Sequence, residues 1–310
     1  MNPRLTYILP VLYLGFLSVS SADPLRITNV RINGSNISLS WTAVTDLCIV
    51  ARSPSLSTGR FEFVGDVLST PHSVLPATNA AGFYRIRQVE VVSFPDPQFG
   101  DEVRSAIPRK HAPTNEMYNV DFVGLTELRA SNLGITSAEG IEWLTDLTFF
   151  ECYNNNLTSL NLSANTGLIS LYCDDNDLTN LNLSACASLE DLSCYNNYDL
   201  TSLDLSACMR LKDLYCYNDS LTSLDLPAST NLTSIGCSAN FLTNLDLSAN
   251  TGLKDLNCNN NSLTNLNLSA NANLTYVDCR DNPILEIIVA DTAHLPAIFL
   301  YSGNPIIREP

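Results

Sequence analysis

A unit of 21 residues repeats along the second half of this 310-residue chain and limits its fold more than any other feature. The unit is L-x-x-L-x-C-x-x-N-x-L-T-x-L-(N/D)-L-S-x-(N/C)-x-x, and only the third copy has one extra residue, Tyr198 or Asp199. Diverged copies begin at Leu125 and Leu295. One short unit cannot bury its own apolar side chains, so the copies must stack as a solenoid. The seven regular copies begin at Leu147, Leu168, Leu189, Leu211, Leu232, Leu253 and Leu274.

The apolar pattern inside each unit predicts short strands. In L-x-x-L-x-C the residues at positions 4 and 6 alternate inward, and L-T-x-L-x-L alternates in the same way. We therefore expect a strand on each side of every coil, with equivalent strands paired in parallel. About eight coils at a strand spacing of about 4.8 Å would form a rod about 40 Å long. The predicted fold is mostly β: a solenoid of about eight short coils with parallel sheets, plus a small N-terminal β-sandwich.

Position 6 of the repeat holds a column of cysteines that could form disulfides, bind a metal or fill the core. Stacked parallel strands hold equivalent side chains about 4.8 Å apart and pointing the same way, which suits neither a disulfide nor tetrahedral metal coordination. The diverged copies carry apolar Ala130 and Leu300 at this position, as a core site would. We predict a structural core column of Cys152, Cys173, Cys194, Cys216, Cys237, Cys258 and Cys279.

Two further cysteines, Cys186 and Cys208, occupy position 19, where other units have asparagine. They lie in adjacent coils near a turn, whose backbone can tilt more than a strand. A disulfide between them is therefore left open.

The N-terminal segments precede the repeats. Residues 1–22 have the pattern of a signal peptide, with Arg4 before an apolar stretch and a small-residue site ending at Ala22. The apolar stretch is shorter than the roughly 20 residues of a membrane span, although an uncleaved anchor is the alternative. Residues 23–93 contain short β-rich runs separated by turn residues, which predict a β-sandwich. In residues 94–146, Phe99, Val103 and Ile107 at helical spacing predict a helix that caps the array.

The repeat resembles the leucine-rich repeat, L-x-x-L-x-L-x-x-N/C-x-L, and in particular the short nested bacterial class called IRREKO. FPDP, a short helix and GLTELRASNLGITSAEGIEWLTDL resemble the N-terminal cap of internalin-like secreted bacterial proteins. SLSW with Trp41 and FYRIRQV with Tyr84 resemble a fibronectin type III-like module. The resemblance implies that residues 147–310 are a leucine-rich-repeat solenoid whose ordinary role is binding.

The outward positions beside the cysteine column vary between coils and are rich in tyrosine. Exposed tyrosines are enriched at protein interfaces because a flat amphipathic ring binds at small entropic cost. The alternative is that the rings only stabilise the sheet through contacts between strands. The candidate binding face consists of Phe149, Glu151, Tyr153, Tyr172, Asp174, Tyr195, Tyr215, Tyr217 and Tyr276.

Charge and motifs narrow the function classes. The chain has 32 acidic and 16 basic residues, a net charge of −16, which disfavours nucleic acid as a partner. We find no catalytic motif and predict no catalytic residue, cofactor or metal site. We predict a secreted or cell-surface, non-enzymatic protein without a membrane span that binds a protein or peptide. A glycan-binding or cell-envelope adhesion module is the alternative.

Overall fold

The structure, a computed structural model, describes residues 91–107, 117–119, 121–291 and 295–310, and the backbone of six strands between residues 27 and 89. The chain divides into two compact units, Met1–Val92 with Arg109–Asp121, and Ser93–Pro108 with Phe122–Pro310. The predicted signal peptide, residues 1–22, lies outside the described residues. So do the side chains of Trp41, Tyr84 and Cys48.

The first unit contains antiparallel strands in the regions where the sequence predicts them. Strands β1, β2 and β5 form one three-stranded sheet, β4, β3 and β6 form another, and β7 pairs with β8. How the two three-stranded sheets pack lies outside the description, so the β-sandwich stays a prediction. The strands are β1 (Ile27–Asn33), β2 (Asn36–Trp41), β3 (Leu47–Ser53), β4 (Glu62–Phe63), β5 (His72–Pro76), β6 (Phe83–Val89), β7 (Val91–Val92) and β8 (Met117–Tyr118).

The second unit begins with helix α1 (Pro97–Ala106), close to the predicted helix. Its N-cap is Asp96, whose carboxylate accepts a hydrogen bond from Phe99 N at 3.0 Å, and proline at the first helical position suits a helix start. The Phe99 ring lies 6.4 Å from the Phe150 ring, so the helix packs on the first coils of the repeat. No helix among the residues described is long and apolar enough to cross a bilayer.

Nine strands of the second unit form one parallel sheet with one strand from each coil. Nine coils therefore contribute to the sheet, because the diverged copies at both ends pair as well as the seven regular ones. A 3-10 helix, Ile141–Trp143, follows the first of these strands. The strands are β9 (Glu127–Arg129), β10 (Phe149–Glu151), β12 (Ser170–Tyr172), β14 (Asp191–Ser193), β15 (Asp213–Tyr215), β16 (Ser234–Gly236), β17 (Asp255–Asn257), β19 (Tyr276–Asp278) and β21 (Ile298–Leu300).

The other side of the coils is only partly stranded, whereas the sequence predicts a strand there in every coil. Two sheets form, β11 (Ser159–Asn161) with β13 (Asn180–Asn182), and β18 (Asn265–Leu268) with β20 (Glu286–Val289) and β22 (Ile306–Arg308). Between them, only an isolated bridge joins Asp204 to Asp225. The gap begins in the coil with the extra residue and includes Pro227, which has no N–H to donate.

Leucines and cysteines from both sides fill the interior, and one end of the cysteine column differs from the prediction. Ala130 is fully buried beside Cys152, as expected. Leu300, however, pairs with Asp278, so Tyr301 follows Cys279 in the column. The prediction for Leu300 was wrong because the paired residues Tyr276 and Ile298 are 22 residues apart, one more than the repeat period.

Candidate binding surface

Three outward positions on each coil carry the residues that the sequence selects as a binding face. With the first leucine of a unit as position 1, these are positions 3, 5 and 7, which alternate with the inward side chains at positions 4 and 6. In-register pairing of β10, β12, β14 and β15 places Glu151 beside Tyr172, Tyr172 beside Ser193, and Ser193 beside Tyr215. Neighbours within such a column are about 4.8 Å apart along the sheet.

Six aromatic side chains lie on four consecutive coils of this sheet. The Phe149 and Tyr172 rings have their centroids 5.6 Å apart. The Tyr195 and Tyr217 rings are stacked, with centroids 4.2 Å apart and planes 9° from parallel. Tyr215 is 40% exposed and the others are half-buried. We call this set the tyrosine surface: Phe149, Tyr153, Tyr172, Tyr195, Tyr215 and Tyr217.

The tyrosine surface ends at Gly236. A Cβ atom there would lie 3.1 Å from Cδ1 of Tyr215, so the missing side chain leaves room for that ring. The Tyr215 hydroxyl lies 3.3 Å from the Ser234 hydroxyl. Strands β16 and β17 carry no aromatic side chain at positions 3 and 5, and they separate Tyr276 from the rest. The structure therefore does not bring Tyr276 to the other candidate residues.

Asp174 is far less exposed than the sequence predicts for an outward position, with only 6% of its surface accessible. The hydroxyls of Ser193 and Tyr195 in the next coil interact with its carboxylate and favour its ionised form. Burial raises the pKa of this carboxyl group above its ordinary value, against the opposing effect of those hydroxyls. The prediction that Asp174 is exposed was wrong, because side chains on a neighbouring coil can shield an outward residue.

Glu151, also on the candidate face, is held by an arginine that sequence reasoning did not select. Its carboxylate accepts a hydrogen bond from Arg129 Nη1 at 2.8 Å. The Arg129 guanidinium carbon also lies 4.4 Å from the centre of the Phe149 ring. The signal for this contact was available in the repeat alignment, because Arg129 occupies position 5 of the diverged first coil.

A concavity of about 630 Å³ opens on the tyrosine surface above Asp174. Tyr153, Tyr172 and Tyr195 line it, with Asp174 and Ser193 among its polar residues. It combines aromatic ring surface with one shielded carboxylate, and this chemistry serves for binding a positively charged group.

The cysteine column lies on the inner side of the same sheet. All seven thiols are free and buried, as an apolar core position requires. Burial raises the pKa of each of them, so they stay protonated at neutral pH. Among the residues described, no group of three or more histidine, cysteine or acidic side chains is placed to hold a metal ion.

Cys186 and Cys208 are also free and buried, so the disulfide that the sequence leaves open is not formed in the structure. Cys186 Sγ lies 3.7 Å from the Leu162 carbonyl oxygen. Burial raises the pKa of Cys186 to about 11 and that of Cys208 to about 12. Alkylation followed by mass spectrometry without reductant tests their oxidation state.

Position 8, which sequence reasoning did not select, shapes the edge of the surface. Its residues have positive φ angles of 52° to 62° in eight coils, and seven of the eight are asparagine or aspartate. These side chains tolerate the left-handed conformation better than other non-glycine residues do. They also bond along the edge, as in Asn154 Nδ2 to Asn132 Oδ1 at 2.6 Å and Asn196 Nδ2 to Asp175 Oδ1 at 2.7 Å.

Comparison with known proteins identifies the type of repeat. No family model matches the chain. A stretch of 73 residues is 40% identical to Internalin J of Listeria monocytogenes, which is 24% of this chain and 8% of that protein. The chain thus matches only a small part of the length of that relative.

Solved structures from the same organism are similar over a longer range. Internalin C2 of Listeria monocytogenes is 25% identical, with a TM-score of 0.54 over 67% of this chain and 93% of that one. The functional domain of InlJ, described as including a cysteine ladder, is 29% identical with a TM-score of 0.38 over 63% of this chain and 55% of that one. The likeness to internalin C2 and the nine-stranded sheet confirm an internalin-like leucine-rich-repeat solenoid.

Proposed function

We propose that this chain is an exported, non-enzymatic binding protein that contacts a protein or peptide partner through its tyrosine surface. Residues 1–22 would direct export, residues 23–93 would form a separate β module, and the segment 94–146 would close the open end of the repeats at residues 147–310. Leucine-rich-repeat folds typically serve protein–protein interaction, which makes binding the favoured activity.

The observation that carries the proposal is the run of partly exposed aromatic rings on one rigid parallel sheet. The rings are already held in place, because Tyr195 stacks on Tyr217 and Phe149 packs on Tyr172. Binding a partner costs little conformational entropy, because the rings are already restricted. The rings also offer apolar area together with hydroxyl groups.

The stacking also favours a protein over a glycan. Sugar rings pack on open aromatic faces, but Tyr195 and Tyr217 cover one face of each other in a nearly parallel stack. The ring edges and hydroxyls that remain suit the mixed apolar and polar groups of a protein interface. A glycan partner is therefore an outcome of the test.

The experiment uses the full chain as bait for extracellular proteins and, in parallel, for a glycan array. The triple change Tyr172→Ser, Tyr195→Ser and Tyr215→Ser should reduce the affinity for a captured protein by at least about a hundredfold, as expected for loss of several central aromatic contacts. A matched control changes Tyr198 and Phe241, which are 67% and 60% exposed and lie outside the tyrosine surface, to serine.

Circular dichroism and thermal unfolding check that each variant is folded. If the folded triple variant binds the captured protein with unchanged affinity, the rings only stabilise the sheet and do not bind the partner. Binding to glycans and to no protein would replace the proposed partner class with the alternative.

A further inference from the structure

Asp174 is the least exposed acidic residue of the candidate binding face, and it lines the concavity. Only 6% of Asp174 is accessible, and the groups that favour its ionised form are all neutral: the hydroxyls of Ser193 and Tyr195 and its own backbone amide. Neutral hydroxyls stabilise a buried carboxylate less than a positive charge would. The site is therefore prepared for a cation that enters through the concavity.

The surroundings of Asp174 add to this preference. Two of the residues that line the concavity are acidic and none of them is basic. Asp191, Asp213 and Glu151 also act on Tyr172: after burial, which is the largest cause, their negative charges raise the pKa of its phenol group. The same negative field attracts a positively charged ligand group.

One coil nearer the N-terminus, the chain itself supplies a cation to a similar set of groups. The Arg129 guanidinium lies 4.4 Å from the centre of the Phe149 ring and binds the Glu151 carboxylate at 2.8 Å. An aromatic ring beside a carboxylate thus already holds a guanidinium on this sheet. At Asp174 the rings and the carboxylate are present, and the residues lining the concavity include no such cation.

The geometry favours one organic cation over a calcium ion. Asp175, the other acidic residue of the concavity, is exposed, and its Oδ1 accepts a hydrogen bond from Asn196 Nδ2 at 2.7 Å. Calcium takes about six to eight oxygen ligands. A single shielded carboxylate between aromatic rings instead matches an ammonium or guanidinium group on an alkyl chain.

We propose that the concavity at Asp174 binds one lysine or arginine side chain of the protein partner. The charged group pairs with the Asp174 carboxylate, and the alkyl part lies against Tyr153, Tyr172 and Tyr195. This inference rests on the proposed function, because it names the chemistry that the tyrosine surface recognises in its partner.

The test titrates the full chain with four blocked tripeptides, Gly-Lys-Gly, Gly-Arg-Gly, Gly-norleucine-Gly and Gly-(acetyl-lysine)-Gly, and follows tyrosine ring signals by NMR. The two cationic peptides should bind at least about tenfold more tightly than the two neutral ones. Asp174→Asn should remove this preference, because the amide oxygen still accepts hydrogen bonds but the charge is lost. Asp255→Asn, an exposed position on β17, is the control for the loss of one negative charge.

Tyr172→Leu is a second variant, which keeps the charge and should weaken the cationic peptides about threefold or more through loss of a ring face. If Asp174→Asn does not fold, the Tyr172→Leu variant tests whether the cationic peptides bind at the concavity. Equal binding of cationic and neutral peptides to the unmodified chain would overturn the inference, and so would an unchanged preference in the folded Asp174→Asn variant.

The two proposals fail in different experiments. If the triple tyrosine variant loses a captured protein partner while Asp174→Asn retains full affinity for it, the binding function stands and the cation site does not. If the triple tyrosine variant keeps the partner, the proposed surface itself is wrong, whatever the tripeptides show.

Discussion

At the scale of single residues, Asp219 is the only residue at position 9 of the seven regular units that is not asparagine. In the other regular units, the side-chain amide of the asparagine both accepts and donates hydrogen bonds. Asn176, for example, accepts from Leu157 N at 3.0 Å and donates to the carbonyls of Cys152 and Cys173 at 3.0 and 3.2 Å. Asp219 Oδ1 accepts from Asn197 N at 2.7 Å, but Oδ2 is buried without a partner. An ionised carboxylate has no hydrogen to donate, so this coil lacks the second half of the pattern.

Asp219 should therefore make stability depend on pH. Burial raises the pKa of its carboxyl group to about 7, although the bond from Asn197 N opposes this. An unfolded aspartate has a pKa of about 3.9. Because the folded state holds the proton more tightly, stability is full below about pH 4 and falls as the pH rises towards 7. The difference between the folded and unfolded pKa values corresponds to a loss of about 4 kcal/mol in the free energy of unfolding at neutral pH.

Asp219→Asn should remove most of this loss. We expect a higher free energy of unfolding at pH 7.5, by a few kcal/mol, and little change at pH 4. Urea unfolding at the two pH values measures it, and the same change at exposed Asp199 controls for the lost charge. Equal stabilisation at both pH values would show that ionisation of Asp219 is not the cause.

At the scale of elements, helix α1 depends on Asp96. One carboxylate oxygen accepts from Phe99 N at 3.0 Å. The other accepts from Thr136 N at 2.7 Å and Thr136 Oγ1 at 2.9 Å. Burial alone would raise the pKa of this carboxyl group, but the hydrogen bonds hold it below its ordinary value. The same side chain thus caps the helix and ties it to the loop after β9.

Asp96→Ala should destabilise the second unit by about 1–3 kcal/mol, because the cap and the bonds to Thr136 are lost together. The free energy of unfolding in urea measures this. Asp101→Ala, on the exposed side of the same helix, is the control and should change it by less than about 1 kcal/mol. Since the folded pKa of Asp96 is depressed, its contribution should also be lost as the pH falls through that pKa.

Elements that follow from local pattern could be predicted from the sequence, whereas contacts between coils could not. The helical spacing of Phe99, Val103 and Ile107 predicts α1, and the repeat predicts the parallel sheet. The shielding of Asp174 depends on two hydroxyls one coil away, which no pattern within a unit reveals. The register of Leu300 depends on one extra residue between Tyr276 and Ile298, which the repeat pattern does not reveal.

At the scale of the whole solenoid, each coil is stabilised by its contacts with the adjoining coils. Each strand of the nine-stranded sheet pairs only with its neighbours, as in β14 with β15 and β15 with β16. The position 4 side chains stack along the core, and Leu214 in this column is completely buried. A defect in one coil should therefore act first on the adjoining coils.

Leu214→Ala tests this coupling. The substitution should cost about 2–5 kcal/mol, because it leaves a cavity in a central coil. Hydrogen exchange should then quicken most at the amides that join the adjoining coils, such as Cys194 N to Tyr215 O and Cys216 N to Gly236 O, both at 2.8 Å. Ile298→Ala, at a residue 49% exposed in the outermost strand β21, is the control and should cost less than about 1 kcal/mol. If exchange in the Leu214→Ala variant quickens equally from β9 to β21, the solenoid unfolds as one cooperative block and the nearest-neighbour description is wrong.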